Sequence, residues 1–350
     1  MAKEAQMKKE ANSAKDDSKS SAFKMAQEAV RKLLGEGASM YLSEYDSRIL
    51  EVVSTGSYGL DYALGIGGLE LGKMVEVLGR PGTGKTTLAI SAAANALKKF
   101  PEKKVLYVDA ENAFNSTLGV SMGLDPKRTI IVSAQTAEQN LTAAEMYIKS
   151  GEFSVTIFDS VSALIPQAEY EATYEDQFMG LHARLMSRMC RSIKPLCSKT
   201  GTLLILINQL RNKIGSYGAP EIGTGGEAIP FYSDFRIKVF GGESKSTRIL
   251  DENGEPMGHR ATFEVIKNKK AVPYKKCTVD LVYGHGFDNL GELVDVGEEM
   301  GLVEKTGAWI KYGELKFNGK EKFKAAMLSD KELFEKLKAD VFSIFNKTNG

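Results

Sequence analysis

Hydrophobic positions are nearly absent from residues 1–21, MAKEAQMKKEANSAKDDSKSS, and the rhythm begins only afterwards. Such a segment buries too little to offset the entropy of ordering it, so a solvated leader is expected there. From Ala22 to Leu34 the apolar residues Phe23, Met25, Ala26, Val30, Leu33 and Leu34 fall near helical spacing, and Gly35 and Gly37 supply a stop. This predicts one amphipathic helix, whose stripe must be covered by its own domain or by a neighbouring subunit.

From Met74 the pattern alternates between short apolar runs and helical spacers. Met74–Leu78 is followed by an Ala-rich helical stretch to Leu97, then by Val105–Val108, Ile130–Val132 and Val155–Phe158. Continuous apolar strands with helical connections predict a parallel sheet covered on both faces. A helix over about Met179–Ser198 leads to the most apolar strand, Leu203–Ile207. After it come Asp234–Phe240, Ala261–Ile266 and Cys277–Tyr283 without good helical spacers, which predicts an antiparallel extension of the sheet. A smaller, turn-rich module is expected from about Gly284–Gly286, closing with a helix that carries Leu333, Phe334, Leu337, Val341, Ile344 and Phe345.

Composition narrows the class. Apolar residues make up 43% and charged residues 26%, which excludes a disordered or fibrous chain. With 46 Lys+Arg against 45 Asp+Glu, any nucleic-acid contact has to come from locally clustered bases. Cys190, Cys197 and Cys277 lack metal-ligand spacing, and the N-terminus has no apolar signal core, so reduced thiols, a cytoplasmic setting and no membrane partner are expected. His182, His259 and His285 have no partner spacing and read as ordinary surface or core residues, and Trp309 and Tyr312 as small-domain core.

Chemistry concentrates at strand ends. Gly79-Arg80-Pro81-Gly82-Thr83-Gly84-Lys85-Thr86 follows one strand and precedes the helix starting at Thr87. This is the phosphate-loop pattern in its strand–loop–helix context: glycines free the backbone N–H groups to curl round phosphates, Lys85 offers a point charge, and the Thr86 hydroxyl suits Mg²⁺. Asp159 ends the Val155–Phe158 strand where a second Mg²⁺-organising carboxylate belongs. Glu111, just past Val108-Asp109-Ala110, is placed to orient an attacking water or to cap a helix, while Asn208 and Gln209 end the most apolar strand with amides suited to sensing a γ-phosphate or simply to closing a strand. The glycine-rich segment from Asn208 to Gly226 carries Arg211 and Lys213, and the helix near Met179 carries Arg184, Arg188 and Arg191, so these two arms are candidates for one nucleic-acid backbone.

Assembled in this order, the residues resemble the RecA family of DNA recombinases. The resemblance rests on Ser54-Thr55-Gly56-Ser57, Leu60-Asp61, Ala63-Leu64-Gly65, Gly67-Gly68-Leu69, the phosphate loop, Asp109-Ala110-Glu111, Asp159-Ser160-Val161, Met179-Gly180-Leu181, Ile207-Asn208-Gln209, Lys267-Asn268-Lys269 and Gly291-Glu292-Leu293-Val294-Asp295, over about residues 22–325. It implies an α/β fold: a RecA-like P-loop ATPase core over 55–284 with a mixed, mostly parallel sheet and two DNA-binding loops. An N-terminal polymerisation element over 22–54, with its helix, and a small α+β C-terminal domain over 285–350 would flank that core. The implied activity is DNA-dependent ATP hydrolysis by a helical filament that coats single-stranded DNA and pairs it with homologous duplex. The implied cofactors are ATP and Mg²⁺, and a self-cleaving repressor of the SOS response is a further partner that the resemblance admits.

Carried over by position, the family assigns Glu111 to polarising water, Lys85 and Gln209 to the γ-phosphate, and Lys267 and Lys269 to ATP bound at the neighbouring subunit. Gly79, Arg80, Pro81, Gly82, Thr83, Gly84, Lys85, Thr86 and Thr87 would hold the nucleotide with Tyr283 against the adenine, and Thr86 with Asp159 the metal. Met179, Gly180, Arg184, Ser187 and Arg191 match the first DNA arm. Arg211, Asn212, Lys213, Ile214, Thr224, Gly225 and Gly226 match the second, with Ile214 at the position of an apolar wedge between base triplets. Several positions depart from the pattern. Leu118 stands in place of a stacking tyrosine, Asn115 in place of an acid, Glu227 in place of an Asn and Pro230 in place of a Lys, and the second loop is one residue shorter. The chain ends without the family's acidic tail, a hint of a phage-borne copy. The alternatives on residues alone are a hexameric helicase or clock-type ATPase of the same fold, a small-molecule kinase with the same loop, and a nonenzymatic nucleotide-binding regulator.

Overall fold

The computed structural model describes residues 21–35, 39, 41–43, 51–173, 178, 180–211, 222–242 and 244–348. Two compact units divide the chain, Met1–Leu50 and Glu51–Gly350. In the first, residues 21–34 form the expected helix, closed by a Gly35 N–H to Arg31 carbonyl bond of 2.9 Å. Phe23, Met25, Leu33 and Leu34 are all more than half exposed on it. The expected leader lies almost wholly outside the described residues.

The second unit is built on one large sheet. From one edge its strands run Gly286–Phe287, Lys276–Val282, Pro256–Asn268, Phe235–Gly241, Met74–Gly79, Leu203–Arg211, Phe153–Asp159, Lys104–Asp109 and Thr129–Val132. The last six named are mutually parallel, and Pro256–Asn268, Lys276–Val282 and Gly286–Phe287 extend the sheet antiparallel. The antiparallel part thus starts one strand later than the sequence pattern predicts, because Phe235–Gly241 pairs parallel to Met74–Gly79. A parallel neighbour needs a crossover. The helix in this one, Ala228–Tyr232, has only five residues, too few to leave a helical period in the sequence.

Side chains alternate across the central strands, so each face collects its own core. Val75, Val77, Ile205, Ile207 and Ile157 pack with Leu88, Ala89, Ala92, Ala93 and Ala96 of the Lys85–Lys99 helix. Met74, Leu106, Phe158, Leu204 and Leu206 pack with helices Ala137–Lys149 and Leu181–Thr200 on the other side. Alanines along one helix face let the Lys85–Lys99 helix sit close to the sheet, which fixes the loop before it.

A third core forms from Leu293, Val294, Phe323, Met327, Leu333, Leu337, Val341 and Phe345. Helices Asn289–Glu299, Lys320–Ser329 and Lys331–Thr348 supply it, together with the antiparallel ribbon Glu304–Thr306, Trp309–Tyr312 and Leu315–Asn318. Tyr312 is buried there with its hydroxyl 2.6 Å from Asp340, whereas Trp309 is 44% exposed and so does not belong to that core. Strand alternation in the ribbon turns Trp309 outward and Ile310 inward. Glu292 ties this part to the core, accepting from the Ser57 hydroxyl and from the Tyr58 and Gly59 N–H groups at 3.0 and 2.9 Å.

Candidate nucleotide and nucleic-acid site

The parallel strands all end at one edge of the sheet, and the candidate chemistry gathers there. The loop after Met74–Gly79 enters the Lys85–Lys99 helix through Gly84, whose φ of 102° is left-handed and which offers no side-chain cap. The contrast with the Ala137–Lys149 helix is informative: there Thr136 and Gln139 form a full capping box. Leaving the first N–H groups of one helix uncapped keeps them available to an anion. Gly79 is held to glycine by crowding, since a Cβ would lie 2.6 Å from the Val239 carbonyl. Lys85 Nζ donates to the Arg80 carbonyl at 2.7 Å, and burial pulls its pKa below the usual lysine range against the attraction of Asp159 and Glu111.

Asp159 Oδ2 accepts from the Thr86 hydroxyl at 2.7 Å and from the Tyr107 hydroxyl at 2.6 Å. Burial raises the Asp159 pKa, with those hydrogen bonds opposing, and burial followed by Asp159 pushes the Tyr107 hydroxyl far up, so Tyr107 stays a donor. A hydroxyl and a carboxylate this close fit a hard divalent cation that a nucleotide shares. Among the described residues no group of three His, Cys, Asp or Glu side chains could hold a metal alone.

Glu111 lies at the same edge. Its Oε1 accepts from the Ser160 hydroxyl at 2.6 Å and from Gln209 Nε2 at 3.0 Å, so Glu111 and Gln209 are in direct contact. Gln209 is followed closely by the segment returning from the glycine-rich loop. Asn208 Nδ2 donates to the Thr224 carbonyl at 2.9 Å and to Glu76 at 2.8 Å, while its oxygen accepts from the Thr224 N–H at 3.1 Å. Glu76 is fully buried and also bonds Arg236 at 2.5 Å.

The first arm begins at Gly180, the left-handed N-cap of the Leu181–Thr200 helix. Arg184 and Arg191 are exposed on it, Arg191 donates to Ser187 at 2.9 Å, and positions 184, 187 and 191 share one face. The two arms meet: a Cβ on Gly225 would lie 3.0 Å from Met186, and one on Gly226 would lie 3.1 Å from Ala183. His182 Nε2 is 2.9 Å from the Val161 carbonyl, tying that helix to the Asp159 strand end. Met179, Asn212, Lys213 and Ile214 lie outside the described residues, as does the Arg211 side chain.

A cavity of about 340 Å³ adjoins the loop, lined by Gly82, Gly84, Lys85, Thr86 and Thr87 and by Leu118, Met122, His259 and Tyr283. Tyr283 is 54% exposed, its ring centroid 5.7 Å from that of His259. Leu118 supplies an apolar wall without an aromatic face, and Asn115 caps the short Ser116–Ser121 helix by accepting from the Leu118 N–H at 3.0 Å. Arg80, Pro81 and Gly82 are exposed at the tip of the loop, while Thr83 is buried with its hydroxyl on the Arg80 carbonyl.

Lys267 and Lys269 are elsewhere. In register, Lys267 pairs with Arg236, three residues before Val239, the partner of Gly79, which puts it about 10 Å along the strand toward the opposite edge. Lys267 Nζ donates to the Pro230 and Phe231 carbonyls at 2.7 and 3.0 Å. Pro230 sits in the first turn of its helix, where its missing N–H costs nothing, and Glu227 at the N-cap makes no side-chain cap. Lys269 and Lys194 both bond Asp234, at 3.0 and 2.9 Å.

The residues missed in the sequence are Tyr107, Glu76, His182 and His259. A lone acid inside the apolar run Met-Val-Glu-Val-Leu was a usable signal for Glu76; nothing local marked the others.

A model of the RecA N-terminal domain matches residues 21–288, and one of the RecA C-terminal domain matches 291–346. Curated proteins agree. Protein RecA of Chloroherpeton thalassium is 41% identical over 343 residues, covering 97% of this chain and 94% of its own length. Protein RecA of Porphyromonas gingivalis is 40% identical, with 92% and 93% covered. The chain belongs to the RecA family of recombinases. The protein RecA of Thermus thermophilus is 38% identical over 93% of this chain and 95% of its own length. The large mixed sheet and small C-terminal part are therefore a RecA architecture.

Proposed function

We propose that the chain polymerises on single-stranded DNA in the presence of ATP and Mg²⁺, pairs that strand with homologous duplex, and hydrolyses ATP between subunits. The observation that carries this reading is the contact chain Glu111–Gln209, Asn208–Thr224. One end sits where a γ-phosphate would lie, and the other is the returning leg of the glycine-rich loop, so a change in either position is felt by the other.

In this reading the uncapped helix start and Lys85 receive the phosphates, with Lys85 exchanging the Arg80 carbonyl for them. Thr86 and Asp159 would hold Mg²⁺, which neutralises phosphate charge when bound. Glu111, oriented by Ser160 and Gln209, accepts a proton from the attacking water. Gln209 answers the γ-phosphate, and through Asn208 and Thr224 it sets the arm that carries Arg211, Asn212, Lys213 and Ile214. Lys267 and Lys269 complete the site of the neighbouring copy.

Polymerisation has its own support. Ile131 is exposed on the edge strand Thr129–Val132, and Met146 and Tyr147 are exposed on the helix beside it. The apolar stripe of the 21–34 helix includes the exposed Phe23, Met25, Leu33 and Leu34. Docking that stripe on the edge of another copy would bury both. ATP turnover measured with and without single-stranded DNA tests the reading: turnover should depend on DNA, and equal rates would contradict it.

A further inference from the structure

His259 lies in the Pro256–Asn268 strand, opposite Leu281 on one side and Arg248 on the other. It is 5% exposed, and among the described residues its Nε2 has no hydrogen-bond partner. Buried polar atoms are nearly always paired, so an orphaned imidazole nitrogen calls for a reason. Its surroundings supply one. The ring lines the same cavity as Gly82, Lys85 and Thr87, and its centroid is 5.7 Å from that of Tyr283. Gly242 approaches so closely that a Cβ there would lie 3.3 Å from Nε2 and 2.7 Å from the Gly82 carbonyl. His259 is thus wedged between the loop and the Gly241-Gly242 turn.

Its electrostatic setting is one-sided. Burial holds the ring below the usual histidine range, and a backbone hydrogen bond at Thr83 works the other way. Among the described residues no charged group contributes to that balance. Among the described residues the charged or titratable side chains that share its cavity are Lys85 and Tyr283, and Arg248 is its partner across the ladder. None is a carboxylate. The free chain therefore holds a neutral imidazole beside a place built for negative charge, and phosphate oxygens entering there favour the charged ring.

We propose that His259 is a positioning residue for the nucleotide phosphates: unpartnered at Nε2 among the described residues, it takes a proton from solvent when phosphates enter the cavity. The imidazolium then braces the Gly82-Thr83 backbone against the Gly241-Gly242 turn. This rests on the reading of the cavity as a nucleotide site.

The probe is MgADP, which binds without releasing protons by hydrolysis. Calorimetric titration in buffers of different ionisation heat counts protons directly. Wild type should take up a substantial fraction of a proton near neutral pH, and its affinity should fall as pH rises, by up to about tenfold per unit. His259→Gln should lose both the uptake and the slope, which a merely structural role would leave in place. Equal uptake by the two proteins, with binding intact, overturns the assignment alone, whereas no MgADP binding by wild type removes the nucleotide reading and this assignment together. Should the variant fail to fold, ring-nitrogen spectra of wild type decide the matter, since the chain has only 3 histidines. The His259 signal should pass from the neutral to the protonated form on adding MgADP; a ring that stays neutral at saturation overturns the proposal.

Discussion

The two edges of the parallel sheet are furnished in opposite ways. At the carboxyl ends of the strands lie an uncapped helix start, Lys85, a Thr86–Asp159 pair, and Glu111 held by Ser160 and Gln209. At the amino ends lie Lys194, Lys267 and Lys269 around Asp234. Burial opposes ionisation of Asp234, yet its bonds to Lys194, the Met74 N–H and Lys269 hold it below the usual carboxylate range. One carboxylate is thus shared by two ammonium groups, and Lys267 donates to two neutral carbonyls while Asp234 attracts it and Lys269, Arg236 and Lys194 repel it. In the proposed function the first edge receives the nucleotide, while the second carries lysines, with Lys267 about 10 Å along the strand from the loop. The proposed function makes these two half-sites on one chain, completed when a second copy stacks on the first.

The largest expected effect breaks the carboxyl edge at its chemistry. Glu111→Gln keeps the size of the side chain and its bonding to Ser160 and Gln209, so nucleotide binding and filament formation should persist. Hydrolysis should slow by roughly 10² to 10⁴, the usual cost of losing a general base. A rate within about twofold of wild type would remove Glu111 from that role.

A smaller effect separates the edge from the DNA arm. Asn208→Ala deletes the grip on Thr224 and leaves Glu76 with Arg236 alone, so basal turnover should stay within severalfold while stimulation by single-stranded DNA falls by about tenfold, the ordinary size of one coupling energy. Stimulation at the wild-type level, measured as the ratio of rates with and without DNA, would show that the coupling runs elsewhere.

How much of this was legible beforehand depends on how local each signal is. The loop and the Asp159, Glu111 and Gln209 positions could be read because a strand, a turn and a helix sit together in sequence, and the chemistry lies at their junctions. The direction of Phe235–Gly241 could not, because a five-residue helix leaves no period to read. His259 reads as an ordinary residue in sequence, since its place beside the loop depends on an antiparallel pairing with Leu281, far from the loop along the chain. Asp61 and Glu292 belong to the same class. Both are buried, and burial drives the pKa of each up to about 7 against several hydrogen bonds.

That burial gives the smallest prediction, one of stability. Glu292 titrates near its ordinary value when unfolded and near 7 when folded, so its contribution is full at acid pH and is lost as pH rises through about 7. Glu292→Gln should therefore melt with a smaller difference between about pH 5 and pH 8 than wild type does. An unchanged difference would mean that Glu292 is ionised in the folded chain across that range.

The two half-sites themselves are tested most directly by mixing. Lys85→Ala protein lacks the charge in the loop, and the Lys267→Ala, Lys269→Ala double variant lacks the charges on the opposite edge; each alone should show little DNA-stimulated ATP turnover. Combined on single-stranded DNA, they place an intact loop against intact lysines at some interfaces, and turnover should recover in part and peak at intermediate ratios. No recovery at any ratio, with both proteins confirmed by labelling to share filaments, would contradict a site completed by the neighbouring copy.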